Sequence, residues 1–229
     1  HFPQVSTILL ISVGHTVHSR LHAGSRRQPI TNTIYHMEKL RKRILILNAS
    51  PRPHGNIASM LEAMALEATQ EGADVETVRV ADLAVRPCTG CMACRSRLEC
   101  VLPEDDAQRT LQKIADCDAL VIGAPCYWGN MPGTLKVLFD RMVYGLMGES
   151  PRGVPLPLHK GKRAIIVSTS TTPWPFNIWF RQTRGTVRAL REILKWSGFH
   201  VMAAIERGDT RQRPVKDLTR CRRAIHHVL

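Results

Sequence analysis

Four cysteines, Cys88, Cys91, Cys94 and Cys100, follow one another as Cys-x2-Cys-x2-Cys-x5-Cys. Four thiolates within one loop can wrap a [4Fe-4S] cubane or hold a tetrahedral zinc, and the remaining reading is reduced free thiols packed in a loop. A second constellation is Ser50-Pro51-Arg52-Pro53-His54-Gly55-Asn56. Ser50 offers a hydroxyl, Arg52 a forked cation and Gly55 a close backbone approach, while Asn56 brings an amide to the start of a helix whose free N–H groups face an anion. These parts suffice to grip a phosphate monoester without a metal. No Gly-Lys-Ser/Thr closes the loop and no three-glycine dinucleotide fingerprint is present, which argues against ATP and a tightly held NAD. A third segment, Pro125-Cys126-Tyr127-Trp128-Gly129-Asn130, combines rigid backbone donors with ring faces against which a flat aromatic ligand could lie, although such rings also serve as core or interface aromatics. Ser168 and Thr169 open a hydroxyl-rich turn running to Thr172 that could form another wall.

The elements that must position these residues are legible as alternating strands and helices. Ile44-Leu45-Ile46-Leu47 is a short apolar run stopped by Asn48-Ala49-Ser50-Pro51, the pattern of a buried parallel strand entering a loop. Residues 57–71 favour a helix ended by Gly72, and residues 74–80 alternate as a second strand. Asp105 is placed to cap a helix running to Ala115, and residues 119–123 form a third strand. Pro132 sits where a helix begins, with Leu135, Leu138, Phe139 and Met142 at helical spacing behind it. On that helix Lys136 and Asp140 are four apart, and together with Arg141 they read as structural, through a helix-face ion pair and contacts under the Pro125–Asn130 loop. Residues 148–161 read as a loop, 164–167 as a fourth strand, 186–196 as a helix and 200–205 as a fifth strand, with 174–180 ambiguous. Strands interleaved with helices in this way imply a doubly wound parallel α/β sheet with right-handed crossovers. Its ligands bind beyond the carboxyl ends of the strands, where all three loops fall.

Bulk properties narrow the classes. At 229 residues, 44% hydrophobic and 22% charged, the chain is an ordinary globular length and composition. Residues 37–229 are expected to form one domain, with residues 1–36 an appended leader. The formal charge of +13 gathers toward the ends, and with 5% aromatic residues and no recognised reader motif it suits a solvated surface rather than a nucleic-acid footprint. Ile8 to Val13 is too short to span a bilayer, so no membrane association is expected, and seven cysteines without a signal peptide favour the reducing cytoplasm. Cys117, Cys126 and Cys221 stand apart from the cluster and suit core packing.

The stretch NASPRPHGN, followed by APCYWGNMPGTLKVLFDR, resembles the NADPH-dependent FMN reductase branch of the flavodoxin-like superfamily over roughly Arg43 to Asp209. The resemblance implies a three-layer sandwich with a five-stranded parallel sheet in the order 2-1-3-4-5. It places the flavin phosphate on Ser50, Arg52, Gly55 and Asn56, and the flavin ring against Pro125, Cys126, Tyr127, Trp128, Gly129 and Asn130. Where the family has Thr or Ser after the Gly-Asn pair, this chain has Ile57, so one phosphate hydroxyl is missing unless Ser59 replaces it. The cysteine spacing resembles the iron-sulfur flavoproteins of the same superfamily, in which such a motif carries a [4Fe-4S] cluster beside FMN. Two activities are thereby implied. One is an NAD(P)H oxidoreductase reducing a quinone, flavin, nitro or azo compound; the other is an electron carrier served by ferredoxin. A homodimer or homotetramer is implied for both.

Overall fold

The computed structural model describes residues 41–229; the expected leader, residues 1–36, lies outside them. Along the chain run β1 (Arg43–Asn48), α1 (Asn56–Gln70), β2 (Asp74–Arg79), a short 3-10 turn (Val80–Asp82), α2 (Cys94–Arg97), α3 (Asp106–Asp116) and β3 (Ala119–Pro125). Then come α4 (Gly133–Leu146), β4 (Met147–Glu149), β5 (Pro155–Pro157), β6 (Arg163–Thr169), α5 (Phe176–Trp179), α6 (Gln182–Ser197), β7 (His200–Arg207) and α7 (Thr219–Ile225). The main sheet has the order β2-β1-β3-β6-β7, and every pairing in it is parallel. Counted by main-sheet strands alone, this is the 2-1-3-4-5 order of a flavodoxin-like fold.

Period-two alternation distributes the apolar strand residues between two cores. Leu45 and Leu47 of β1 and Leu120 and Ile122 of β3 face a core completed by Ile114 of α3, Leu135 and Leu138 of α4, and Val187 and Leu190 of α6. Ile44, Ile46, Val121 and Ile165 face the opposite core, closed by Met60, Leu61 and Met64 of α1 and Ala224 and Ile225 of α7. Strands buried on both faces need continuous apolar sequence, which is why β1, β3 and β6 read so clearly. Two elements depart from expectation. Residues 148–161 are not plain loop but include the antiparallel β4–β5 hairpin, whose two prolines at 155 and 157 hide the strand signal. The basic tail folds into α7 because Cys221, Ala224 and Ile225 recur on the face it lays against α1.

Asp105 caps α3 as expected and does more. Its side chain accepts from the Ala107 N–H, while Gln108 accepts in return from the Asp105 N–H, a complete capping box. Its other oxygen meets Arg141 Nη1 of α4 at 2.7 Å, and the Arg141 side chain is 0% exposed. Burial alone would raise the Asp105 pKa, but donation from the Ala107 and Arg86 N–H groups and from the Arg141 guanidinium holds it below the usual carboxylate range. A depressed carboxylate pKa stabilises the fold above its unfolded value, and that contribution is lost as pH falls through the folded value. Asp105→Asn keeps a capping acceptor but strands the buried guanidinium, so urea denaturation at neutral pH should show a loss of about 3 to 5 kcal/mol. The difference between the two proteins should shrink below about pH 4; an undiminished gap there would assign the loss to packing.

Candidate functional site

The loop between β1 and α1 closes on itself before the helix begins. Ser50 Oγ lies 3.3 Å from the Arg52 carbonyl and accepts from the Arg52 N–H at 3.2 Å, so the serine holds the turn from inside. A Cβ on Gly55 would come within 3.2 Å of Arg52 Cβ, and the absence of one lets the loop fold back this tightly. Gly55 is the N-cap of α1 and supplies no side-chain cap, and the first turn carries no acid. The N–H groups of Asn56, Ile57 and Ala58 therefore find no acceptor among the described residues. With Arg52 exposed and outside every ion pair among those residues, the helix end is an open anion site.

A cavity of about 150 Å³ adjoins this helix end, lined by the β1–α1 loop together with Pro125, Cys126 and Tyr127, Thr169, Ser170 and Thr171, and Gln182 and Thr210. Strands β1, β3 and β6 deliver their following loops to it from the same edge of the sheet, and β7 contributes Thr210. Cys126 Sγ lies 3.4 Å from Gln182 Oε1, joining the β3 loop to the start of α6. Thr210 is fixed by its hydroxyl donating to the Ser170 carbonyl at 2.9 Å. Ser168 Oγ is buried beside this wall with no hydrogen-bond partner among the described residues, as is Asp209 Oδ1.

Beyond Tyr127 the chain makes a two-residue turn. Tyr127 and Asn130 exchange N–H···O bonds of 2.9 and 3.0 Å, with Trp128 at φ 53° and Gly129 at φ 72° between them. Two positive φ values are what a tight hairpin turn of this hand requires, but a tryptophan there is strained. Its indole packs on nothing, at 102% relative exposure. The turn rests on α6. Thr186 Oγ1 donates to the Asn130 carbonyl at 2.9 Å, and a Cβ on Gly185 would overlap the Gly129 carbonyl oxygen.

The cysteine loop sits apart from that cavity, on the side of α4. Left-handed residues at Gly90, Met92 and Leu98 coil it tightly. Burial raises the Cys94 pKa, a backbone hydrogen bond opposes this, and the nearby Cys100, Cys88 and Cys91 thiols raise it further. The four sulfurs are thus electrostatic neighbours. No three of them lie within 4.8 Å of one another. Arg141 Nε lies 3.3 Å from Cys100 Sγ and its Nη1 is 2.7 Å from the Arg86 carbonyl, so one buried guanidinium holds both ends of the loop. It stands under the cysteine loop rather than under the Pro125–Asn130 loop, where the sequence suggests its contacts.

The structure brings Ser50, Arg52, Gly55, Asn56, Ile57, Pro125, Cys126, Tyr127 and Thr169 to one cavity. Trp128, Gly129 and Asn130 line a neighbouring groove instead, and Ser168 stays within β6, one residue short of the lining. Ser59 does not supply the missing hydroxyl: its Oγ lies 3.4 Å from the Gly55 carbonyl. The Asn56 side chain turns away from the anion site. Its Nδ2 is 3.3 Å from the Thr210 carbonyl and its Oδ1 accepts from the Val215 N–H at 2.8 Å, tethering the segment after β7. Cys117 is a buried thiol pushed up to about 11 by desolvation, as a packing cysteine should be. Sequence reading missed Gln182 and Thr210, and only the position of Thr210 just past a strand end could have signalled it.

Sheet order, helix arrangement and a carboxyl-edge cavity beside an uncapped helix are those of the flavodoxin-like α/β proteins. Residues 42–208 match NADPH-dependent FMN reductase, and the chain belongs to that family. Over 97 residues it is 36% identical to an iron-sulfur flavoprotein of Methanosarcina thermophila, covering 42% of this chain and 50% of that protein. It is 35% identical over 112 residues to an NADH-dependent FMN reductase of Pseudomonas putida, covering 49% and 53%. The chain thus spans about half the length of the curated relatives it matches. An FMN-dependent NADH-azoreductase from Bacillus anthracis, solved with FMN, superposes with a TM-score of 0.62 at 15% identity, covering 81% of this chain and 96% of that one. An NAD(P)H:quinone oxidoreductase from Methanothermobacter marburgensis gives 0.59 at 19%, covering 82% and 100%. These two likenesses establish the fold. Asn56→Ala should release the Val215 amide, measured as faster hydrogen exchange there, at a stability cost of about 1 to 2 kcal/mol; unchanged protection would mean the tether bears no load.

Proposed function

We propose that the chain is an FMN-dependent NAD(P)H oxidoreductase that delivers electrons from a nicotinamide substrate to a small acceptor such as a quinone, free flavin, nitro compound or azo compound. The observation that carries this reading is the junction of an uncapped, acid-free helix end with the carboxyl-edge cavity. Arg52 and the N–H groups of Asn56, Ile57 and Ala58 would neutralise the FMN phosphate, with Ser50 fixing the loop that presents them. Cys126 and Tyr127 on one side and Thr169 to Thr171 on the other would hold the ring. The Cys126, Tyr127 and Asn130 N–H groups are already engaged, which leaves Trp128 and Gly129 as the turn's free backbone donors. FMN, when bound, accepts a hydride from the nicotinamide and passes electrons on to the oxidant.

The cysteine loop favours a second reading, an iron-sulfur flavoprotein that takes electrons from ferredoxin. Cys88, Cys91, Cys94 and Cys100 would hold a [4Fe-4S] cluster, and the Arg141 guanidinium would offset part of its negative charge. For either reading we place the chain in the cytoplasm as a homodimer or homotetramer; no helix among the described residues is long and apolar enough to cross a membrane.

An anaerobic preparation assayed for its visible spectrum, iron and labile sulfide separates the readings. Flavin absorbance that NADPH or NADH bleaches promptly supports the reductase. Iron and sulfide, with bleaching only by reduced ferredoxin, support the carrier, and a colourless protein that refuses added FMN overturns both. Arg52→Ala removes a charge-assisted bond and should weaken FMN retention about tenfold to a hundredfold; retention equal to wild type would displace the phosphate from this loop.

A further inference from the structure

Helix α6 carries a line of cations that no part of the flavin site uses. Arg184, Arg188, Arg191 and Lys195 recur at intervals of four, three and four, so they share one face of the helix and extend about 16 Å along it. All four are exposed, and none forms an ion pair among the described residues. The two acids nearby are occupied by neutral donors. Glu192 accepts from the Trp196 indole at 2.6 Å, and Glu206 accepts from the Thr183 hydroxyl at 2.7 Å. Both carboxylates keep their charge and Lys195 lies 5.0 Å over the Trp196 ring, so this face holds four cations against two acids and stays net positive.

This stripe borders an open groove of about 870 Å³ that runs from Arg188 and Arg184 to Trp128 and ends at Gln182. Gln182 also lines the flavin cavity, so the groove and that cavity are neighbours. Two aromatic rings stand at the same end, Trp128 at 102% and Phe180 at 66% exposure. Trp128 is held out by a left-handed backbone, an arrangement that costs free energy and that no intramolecular contact repays. Line, groove and rings together match one shape of ligand, a flat heterocycle carrying several phosphates whose other end lies over the flavin.

We infer that the outer face of α6, with Trp128 at its end, receives the adenosine 2′-phosphate half of NADPH and selects it over NADH. This rests on the oxidoreductase reading above. Arginine forks match phosphate oxygens in pairs, and an added arginine is a known way of accommodating a 2′-phosphate. NADPH brings three phosphate groups and NADH two; Arg184 and Arg188 line the groove that would receive them, and Arg191 and Lys195 lie farther along the helix.

The test titrates the full chain with adenosine 2′,5′-bisphosphate and with 5′-AMP by calorimetry, first without added FMN and then with it. Binding of the bisphosphate should be at least about tenfold tighter than that of 5′-AMP. Arg184→Gln and Arg188→Gln should each weaken it by about tenfold to a hundredfold, with far-ultraviolet circular dichroism confirming an unchanged fold. In flavin bleaching the same variants should raise KM for NADPH by a similar factor and KM for NADH much less. Equal affinity of wild type and both variants for the bisphosphate would overturn the assignment, as would NADPH reduction of the flavin with no bisphosphate binding at all. Weakened binding of an acidic redox protein in the variants, with the bisphosphate ignored throughout, would also overturn it and give the stripe to that partner. A chain that takes no FMN yet binds the bisphosphate through Arg184 and Arg188 defeats the flavin reading alone.

Discussion

Five strands running in one direction end on one edge, and that constraint organises everything else in the molecule. A parallel sheet must return its chain through helices, so each strand's carboxyl end is followed by a loop on the same side. The β1, β3, β6 and β7 loops meet there without needing contacts of their own to find one another. Because β1 and β3 are neighbours and α1 starts immediately after the first loop, the positive end of that helix points into the gathering place. The site is a product of chain direction before it is a product of particular side chains.

Particular side chains then set its limits. Ser50 spends its hydroxyl on the loop backbone and Asn56 spends its amide on the chain beyond β7, which leaves backbone N–H groups and Arg52 to meet an anion. On the far side of α4, a single buried guanidinium reconciles three demands: the charge of Asp105, the carbonyl of Arg86 and the thiol of Cys100. The capping of α3 and the coiling of the cysteine loop therefore depend on the same cation, and the loop is built on α4 rather than hung free in solvent.

Much of this was legible in the amino-acid order. Continuous apolar runs marked β1, β3 and β6, since strands covered on both faces have no polar alternation to blur the signal, and Asp105 announced its helix as a capping residue. The β4–β5 pair stayed hidden because its prolines carry a loop signal, and α7 because three arginines mask its apolar face. At the site, residue types indicated which loops converge but not which way each side chain turns. Asn56 has the right chemistry for a phosphate and uses it elsewhere. The hydroxyl turn was located, yet its lining begins at Thr169, the last residue of β6, and not at Ser168. Gln182 belongs to no motif, and its place follows only from how α6 packs.

The contact between Gly185 and the Gly129 carbonyl bears on descent as well as on shape. Any side chain at position 185 would lift the tryptophan turn off the helix, and a non-glycine residue at 129 would resist the left-handed φ that the turn demands. Each position is held to glycine while the corner keeps this shape, one by contact and the other by backbone angle. A lineage that abandoned one would be expected to have rebuilt the whole corner, tryptophan included.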